Sequence, residues 1–343
     1  MPKAFYGFWH FLLYGKFFAL SGEKSDNMEY IVLDLEWNQC PKGKEFGEKQ
    51  LPFEIIEIGA VKLNEKLNIV SSFNRYIKPQ VYTELHSIVK DIIKVDVKKI
   101  ENGESFVSVI RKFLEWCGED YIFCTWGQTD LYELQRNMKY FGVEIPFETP
   151  LIYYDIQKFY SILKEDGKKR STLESVVEEL NIPKKSDFHN ALSDAHYTAL
   201  VCKSIDFYSV KNRFSIDYYH VPGARSEEIY ARYDTYEKYI SKGYDTRERL
   251  TKDRVIFTGK CYICGRTMKK KTGWFLNGNH GYYYLGCCEE HGYIKGRMRI
   301  KQSDDGRYFA VRILKATDEA GAQKMLIRQA DIIRKRREKR KED

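Results

Sequence analysis

The residues best suited to chemistry are four acids and one histidine in three short stretches of the chain. Asp34 and Glu36 stand in YIVLDLEWN, Asp130 in FCTWGQTDLYEL, and His189 and Asp194 in DFHNALSDAHYTALV. Each ends an apolar strand-like run or lies in the first turns of an apolar helix, where a fold can gather acids into one cleft. Four converging carboxylates stay ionised together only when cations neutralise them. Two hard divalent cations beside an imidazole are typical equipment for phosphodiester hydrolysis.

The surrounding sequence predicts an α/β domain that positions these residues. The runs EYIVLDLEW, FEIIEIGAVKLN, IVSSFNRYIKP and YIFCTW predict four strands, and helical spacing is seen in 84–117, TDLYELQRNMKYF and NALSDAHYTALVCKSIDFY. Side chains two apart on a strand leave the same face, so Asp34 and Glu36 are expected to point together into the cleft. Any one of these residues alone is better explained as a surface charge or a capping group, but five in this order and context favour a site.

With all five residues in this order, residues 29–208 resemble the DEDDh group of DnaQ-like 3′–5′ exonucleases, which have a ribonuclease H-like fold. The resemblance implies a mixed sheet flanked by helices. It also implies that two Mg²⁺ or Mn²⁺ ions are bound by Asp34, Glu36, Asp130 and Asp194, and that His189 takes the proton of the attacking water. Asn190 stands where the tyrosine-type sister group has its tyrosine, so that group fits less well. The runs EIIEIGAVKL, RKFLEWCG and TWGQTDLYEL are most similar to the RNA-trimming branch with its KapD-type members.

The expected activity is therefore hydrolysis of single-stranded RNA from its 3′ end to nucleoside monophosphates. Trp37 and Trp126 stand beside the acids and are candidates for stacking on the terminal bases, with core packing as the alternative. Two other interpretations stay open: a DNA exonuclease of repair, and a nucleic-acid-binding regulator with a vestigial domain. The complete set of five residues argues against the regulator.

A second cluster predicts a structural zinc site. CYICG (261–265) and CEEHG (288–292) share one spacing: a ligand, two residues, a ligand and a glycine. Two such turns form a tetrahedral Cys3His site in zinc ribbons, so the expected ligands are Cys261, Cys264, Cys288 and His291. Cys287 and His280 are the less favoured substitutes.

The charge distribution divides the chain. Residues 206–343 hold 31 Lys and Arg against 19 Asp and Glu, a net charge of +12, while residues 1–205 have a net charge of −4. A basic half beside an acidic catalytic half predicts that the C-terminal half holds a polyanionic substrate, although a lysine-rich half is also simply soluble. The basic candidates (Lys269, Lys270, Lys271, Arg297, Arg299, Lys301) are interleaved with aromatic ones (Trp274, Phe275, Tyr282, Tyr283, Tyr284).

The sequence predicts five segments: an extension (1–27), the exonuclease domain (28–208), a linker with surface helices (209–253), a small β-rich zinc-ribbon-like domain (254–316), and a basic helix and tail (317–343). The apolar run 4–20 is interrupted by Lys16 and is too short for a membrane span, so no stable membrane association is expected, with a weak membrane anchor as the alternative. Eight cysteines, four of them scattered in mostly apolar surroundings, fit a reducing cytoplasm and not a disulfide framework.

Overall fold

The computed structural model describes residues 28–342 except 93–96, 165–166, 168 and 279–280. The predicted extension 1–27 and the alternative zinc ligand His280 lie outside the described residues. Within them, two compact units meet in the sequence between His220 and Val221. No helix in the described ranges is both long and apolar enough to cross a bilayer.

The first unit is built on a six-stranded mixed sheet with the order β3-β2-β1-β4-β5-β6. Its strands are β1 (Glu29–Asn38), β2 (Glu54–Leu63), β3 (Ile69–Tyr76), β4 (Tyr121–Thr125), β5 (Ile152–Asp155) and β6 (Ser215–Ile216). The β1–β2 and β2–β3 pairs are antiparallel, the β1–β4 and β4–β5 pairs are parallel, and β6 is antiparallel to β5. This is the predicted ribonuclease H-like α/β architecture, with β1 at its centre.

The helices of this unit cover both faces of the sheet. They are α1 (Ser87–Ile92), α2 (Val97–Glu101), α3 (Phe106–Cys117), α4 (Thr129–Tyr140), α5 (Ile156–Lys164), α6 (Leu173–Glu179), α7 (Ala191–Ser204) and α8 (Phe207–Val210). Alternate residues of β1 enter different cores: Ile31 and Leu33 pack with α3 and α4, whereas Tyr30 and Val32 pack with α5, α6 and α7. The helices α1, α2 and α3 all lie in the segment 84–117, where the apolar spacing predicts helical structure.

The second unit holds a seven-stranded sheet with the order β10-β11-β12-β13-β8-β7, with β9 also paired to β11. Its elements are β7 (Ile229–Arg232), β8 (Tyr236–Ile240), α9 (Arg247–Lys252), β9 (Lys269–Lys270), β10 (Phe275–Leu276), β11 (Tyr282–Cys288), β12 (Gly292–Gln302), β13 (Tyr308–Ala316) and α10 (Glu319–Glu342). Every strand pair in this sheet is antiparallel. Ala322 and Met325 of α10 pack on Phe275 and Leu285, which attaches the basic helix to the sheet.

The segment 209–253 differs from the predicted linker. It contributes β6 to the first sheet and β7, β8 and α9 to the second unit. Consequently the Cys/His cluster belongs to a larger unit that begins at Val221, not to an isolated domain over 254–316. The strands are short, and β8 pairs with β13 far along the chain, so local alternation in this tyrosine-rich stretch does not reveal them.

Candidate active site and Cys3His cluster

The carboxylates of Asp34, Glu36 and Asp194 converge at the carboxyl end of β1. Each offers an oxygen within 4.8 Å of the other two. Asp34 and Glu36 leave the same face of β1, and this face is the one that α7 covers, so the first turns of α7 bring Asp194 against them. A register shift in the β1–β2 pairing falls between Glu36 and Trp37, directly after the second acid. Bulges of this kind are frequent next to active sites because they re-aim side chains.

Asp130 lies in the first turn of α4 and is not part of the closest group. It is buried, and the backbone N–H groups of Leu35 and of Asp130 itself hydrogen-bond to its carboxylate. Its charge nevertheless acts on Asp34 more strongly than that of any other neighbour. The structure thus brings Asp34, Glu36 and Asp194 into one group, and Asp130 lies close enough for its charge to act on Asp34.

Burial and mutual repulsion hold these carboxyls toward their protonated forms. Burial is the largest cause for each, raising the pKa of Glu36 to about 8, of Asp130 to about 7 and of Asp194 to about 6. Burial, followed by the charges of its acidic neighbours, also raises the pKa of Asp34 well above its usual range. Such a cluster favours its ionised form only when cations enter it.

The Asp194 carboxylate gives a direct test of whether a cation fits. Its Oδ2 accepts a hydrogen bond from the backbone N–H of His189 at 3.1 Å. Its Oδ1 is buried and finds no hydrogen-bond donor anywhere in the described chain. A buried carboxylate oxygen without a donor is costly, and oxygen atoms are the ligands of hard divalent cations. The donor set therefore fits Mg²⁺ or Mn²⁺.

His189 is exposed and stands immediately before the N-cap of α7. Its φ of 65° lies in the left-handed region, which non-glycine residues adopt infrequently. The side chain of the N-cap, Asn190, accepts from the backbone N–H of Ser193 at 3.1 Å. The imidazole of His189 is therefore open to solvent, while the backbone N–H of the same residue is hydrogen-bonded to Asp194.

Glu57 is a fifth carboxylate of the site that sequence reasoning missed. It is buried on β2 and pairs in register with Glu36. Its oxygens accept from Asn190 Nδ2 at 3.0 Å and from the Ala191 backbone N–H at 3.5 Å. Burial raises the pKa of Glu57 to about 7, partly offset by these hydrogen bonds. The available signal was an acid inside the apolar run EIIEIGAV, because a buried strand rarely tolerates a charge without a function.

Trp37 and Trp126 are half-buried. Trp37 packs against the core beneath α3 and α4, and its ring lies 5.6 Å from that of Phe53. Trp126 packs against the core on the other face of the sheet. Core packing therefore accounts for part of each ring, and the remainder of each ring is exposed.

In the second unit, the four predicted zinc ligands form one cluster. One ligand atom from each of Cys261, Cys264, Cys288 and His291 lies within 4.8 Å of all the others. Cys264 Sγ is 3.7 Å from Cys288 Sγ, and His291 Nδ1 is 3.8 Å from Cys261 Sγ and 3.6 Å from Cys288 Sγ. Tetrahedral zinc, with Zn–S of about 2.3 Å and Zn–N of about 2.0–2.1 Å, would separate two sulfurs by about 3.8 Å and a sulfur from a nitrogen by about 3.6 Å. The observed spacing fits such an ion.

Backbone geometry supports the same four ligands. The N–H groups of Ile263 and Cys264 are directed at the Cys261 sulfur, and those of Glu290 and His291 at the Cys288 sulfur. Both turns end at a glycine with positive φ, 74° at Gly265 and 66° at Gly292. Cys287 is adjacent to Cys288 on β11 and therefore points to the opposite face of the strand, so it is not in the cluster.

Comparison with known proteins identifies the family to which the first unit belongs. Residues 31–202, half of the chain, match the model of the exonuclease family (RNase_T). The chain belongs to this family, and its first unit is a DnaQ-like 3′–5′ exonuclease domain. The family assignment covers the five predicted residues but not the second unit.

Individual relatives are distant. The chain is 28% identical to the probable 3′-5′ exonuclease KapD of Bacillus subtilis over 168 residues, which is 48% of this chain and 78% of KapD. It is 22% identical to 3′-5′ exoribonuclease 1 of Rattus norvegicus over 185 residues, spanning 50% of this chain but only about half (52%) of that protein. Among solved structures, the nuclease domain of 3′hExo, a DEDDh family member bound to rAMP, is similar with a TM-score of 0.46 and 20% identity, over 57% of this chain and 98% of that domain.

Proposed function

We propose that this protein is a divalent-metal-dependent exonuclease that removes nucleoside monophosphates from the 3′ ends of single-stranded RNA. The observation that carries the proposal is the convergence of Asp34, Glu36 and Asp194, with one Asp194 oxygen buried and unsatisfied. RNA is favoured over DNA because the rat relative is named an exoribonuclease. DNA remains the second candidate substrate.

The residues divide the work of hydrolysis. Asp34, Glu36, Asp130 and Asp194 would hold two Mg²⁺ or Mn²⁺ ions, which supply an activated water and neutralise the phosphate charge. His189 accepts the proton of the attacking water, a role that its exposed position beside Asp194 allows. Glu57 holds the start of α7 through Asn190 and Ala191, and so fixes both His189 and Asp194. The half-buried rings of Trp37 and Trp126 would stack on the terminal bases.

The Cys3His cluster is proposed as a structural zinc site. All four ligands come from this chain, so no position is left for a substrate, and the ion would fasten the turn at 261–265 to β11 and β12. A reducing cytoplasm, which we propose as the location, would keep these thiols available for the metal.

The test of the activity is hydrolysis of 5′-labelled single-stranded RNA and DNA by the purified full chain with Mn²⁺. Glu36→Gln and Asp130→Asn should abolish hydrolysis, because each removes a charged ligand while keeping the shape of the side chain. His189→Ala should lose about 10²–10⁴-fold, the usual contribution of a general base. Glu119→Gln, at an exposed acid outside the cleft, is the matched control and should retain wild-type rates. Wild-type hydrolysis by Glu36→Gln and Asp130→Asn would show that the assigned site is wrong.

A further inference from the structure

One strand of the second unit carries a row of positive charge. Along β12, buried Ile294 and Met298 alternate with basic side chains on the opposite face. The basic residues of this row are Lys295, Arg297, Arg299 and Lys301. Successive members are two residues apart and therefore about 6.8 Å apart along the strand. This face of β12, together with the side chains that continue it, is called the basic face below.

The basic face lacks compensating acids where it is most exposed. Arg297 and Arg299 are both exposed, and in the described chain no carboxylate lies within ion-pair distance of either. Other arginines of this unit are paired: Arg249 with Asp245 and Arg307 with Asp305. Unpaired guanidinium groups in a row repel one another, so the arrangement gains most from a polyanion.

The basic face continues onto α10 through one tyrosine. Tyr283 pairs with Arg297 across β11 and β12, and its ring lies under both the Arg297 guanidinium at 6.0 Å and the Arg328 guanidinium at 5.2 Å. Beyond Arg328, a groove of about 710 Å³ runs along α10 beside Asn277 and Gly278. Its lining includes the acid Asp331, which is paired with Arg334, and five basic residues: Lys324, Arg328, Lys335, Arg336 and Lys339. On the other side, Lys315 of β13 stands in register with Lys295 and is exposed.

The aromatic residues near this surface do not all serve as stacking platforms. Tyr284 is buried and stacks on Trp274, with ring centroids 5.1 Å apart, on the opposite face of the sheet. Gly296 makes room for this pair, since a Cβ there would meet Trp274 at 2.7 Å. Phe275 is buried under α10. Tyr284 and Phe275 are therefore too buried to stack on a base, while Trp274 is half-buried, so this surface offers mainly charge.

We propose that the basic face and the α10 groove bind the phosphate backbone of a single-stranded nucleic acid, the substrate of the exonuclease unit. This inference rests on the proposed function and names the surface that holds the substrate. Regularly spaced cations follow an extended backbone of regularly spaced phosphates, and a surface that reads only phosphates binds without sequence preference. Binding is then strongly dependent on salt, because each phosphate contact in a single strand contributes about 0.7 to the slope of log affinity against log salt.

The experiment measures binding apart from cleavage. In the full chain carrying Asp34→Asn, fluorescence anisotropy with a labelled long RNA single strand would compare Arg297→Glu/Arg299→Glu with a control of equal charge change, Arg247→Glu/Arg254→Glu. The control arginines are exposed and lie off the basic face. Cleavage is suppressed by Asp34→Asn and not by a chelator, because a chelator would also remove the proposed zinc ion from the Cys3His cluster. The basic-face variant should bind roughly tenfold more weakly or worse, with a salt slope shallower by about 1.4, while the control keeps affinity and slope.

Further measurements distinguish failure of this binding proposal from failure of the proposed exonuclease function. Because Arg297 packs on Tyr283, a second variant is Arg299→Glu/Lys315→Glu, whose two residues contact no aromatic ring in the described chain. It should lose affinity similarly. Affinity and slope equal to the control in both variants would overturn the proposal. The proposal would also be overturned if both variants lost binding to anionic phospholipid vesicles but kept the oligonucleotide affinity of the control. If the wild type hydrolyses no nucleic acid, the proposed function fails, yet the anisotropy comparison still decides this surface.

Discussion

Gly59 on β2 is the point where the sheet and α7 approach most closely, and replacing it with alanine should damage catalysis. Gly59 pairs in register with Asp34. A Cβ at this position would lie 2.5 Å from the carbonyl oxygen of Ala191, and nearer still to the Ala191 carbonyl carbon and the Leu192 nitrogen. These are backbone atoms in the first turn of α7, so no side chain can rotate away.

The size of the effect follows from this overlap. Ordinary van der Waals contact begins at 3.4 Å, so the start of α7 must retreat by about 1 Å. The same turn carries Asp194, whose oxygens lie within 4.8 Å of those of Asp34 and Glu36. A misplacement of about 1 Å in a catalytic constellation costs about 10²-fold in rate, and overpacking of this kind lowers the free energy of unfolding by about 1–3 kcal/mol.

The assay is kcat on a dinucleotide at saturating Mn²⁺, with urea unfolding of the same preparation. Gly59→Ala should lose about 10²-fold in kcat and remain folded. Gly223→Ala is the control, because its φ is ordinary and its Cβ would meet only the Glu227 carboxylate at 3.4 Å. Wild-type kcat and stability in Gly59→Ala would refute the argument that this contact sets the position of α7.

Three other predictions concern the remaining charges and the second metal. Glu57→Ala should lower kcat by at least about tenfold with little change in KM, since it removes the acceptor of Ala191 N–H and leaves that donor buried; steady-state kinetics checks this. Burial raises the pKa of Glu36 to about 8, above its unfolded value of about 4.3, so the metal-free protein takes up protons on folding and loses stability as pH rises from about 4 to 8. Mn²⁺ should therefore raise Tm more at pH 8 than at pH 5, and equal shifts in thermal unfolding would contradict this. Purified protein should contain about one zinc per chain, lost in Cys261→Ser but kept in Cys287→Ser, as measured by elemental analysis.

The sequence alone determined the features that depend on short-range spacing. Asp34 and Glu36 share a face because a strand repeats every two residues, and the two ligand turns are recognisable because each carries its ligands and glycine within five residues. The family follows from five residues in fixed order, and the family match covers them all. These inferences needed no knowledge of which segments meet.

Only the tertiary structure decided which groups become neighbours. It brought Glu57 beside Glu36 through strand register, placed Asp130 near Asp34 but outside the closest group of acids, and turned Cys287 away from the cluster that Cys288 joins. It also drew the supposed linker into two sheets and buried Tyr284 against Trp274, leaving the arginines of β12 as the exposed feature. Strand pairing and register are long-range properties, set by which faces must be buried together, and a one-residue shift exchanges every inward side chain for an outward one.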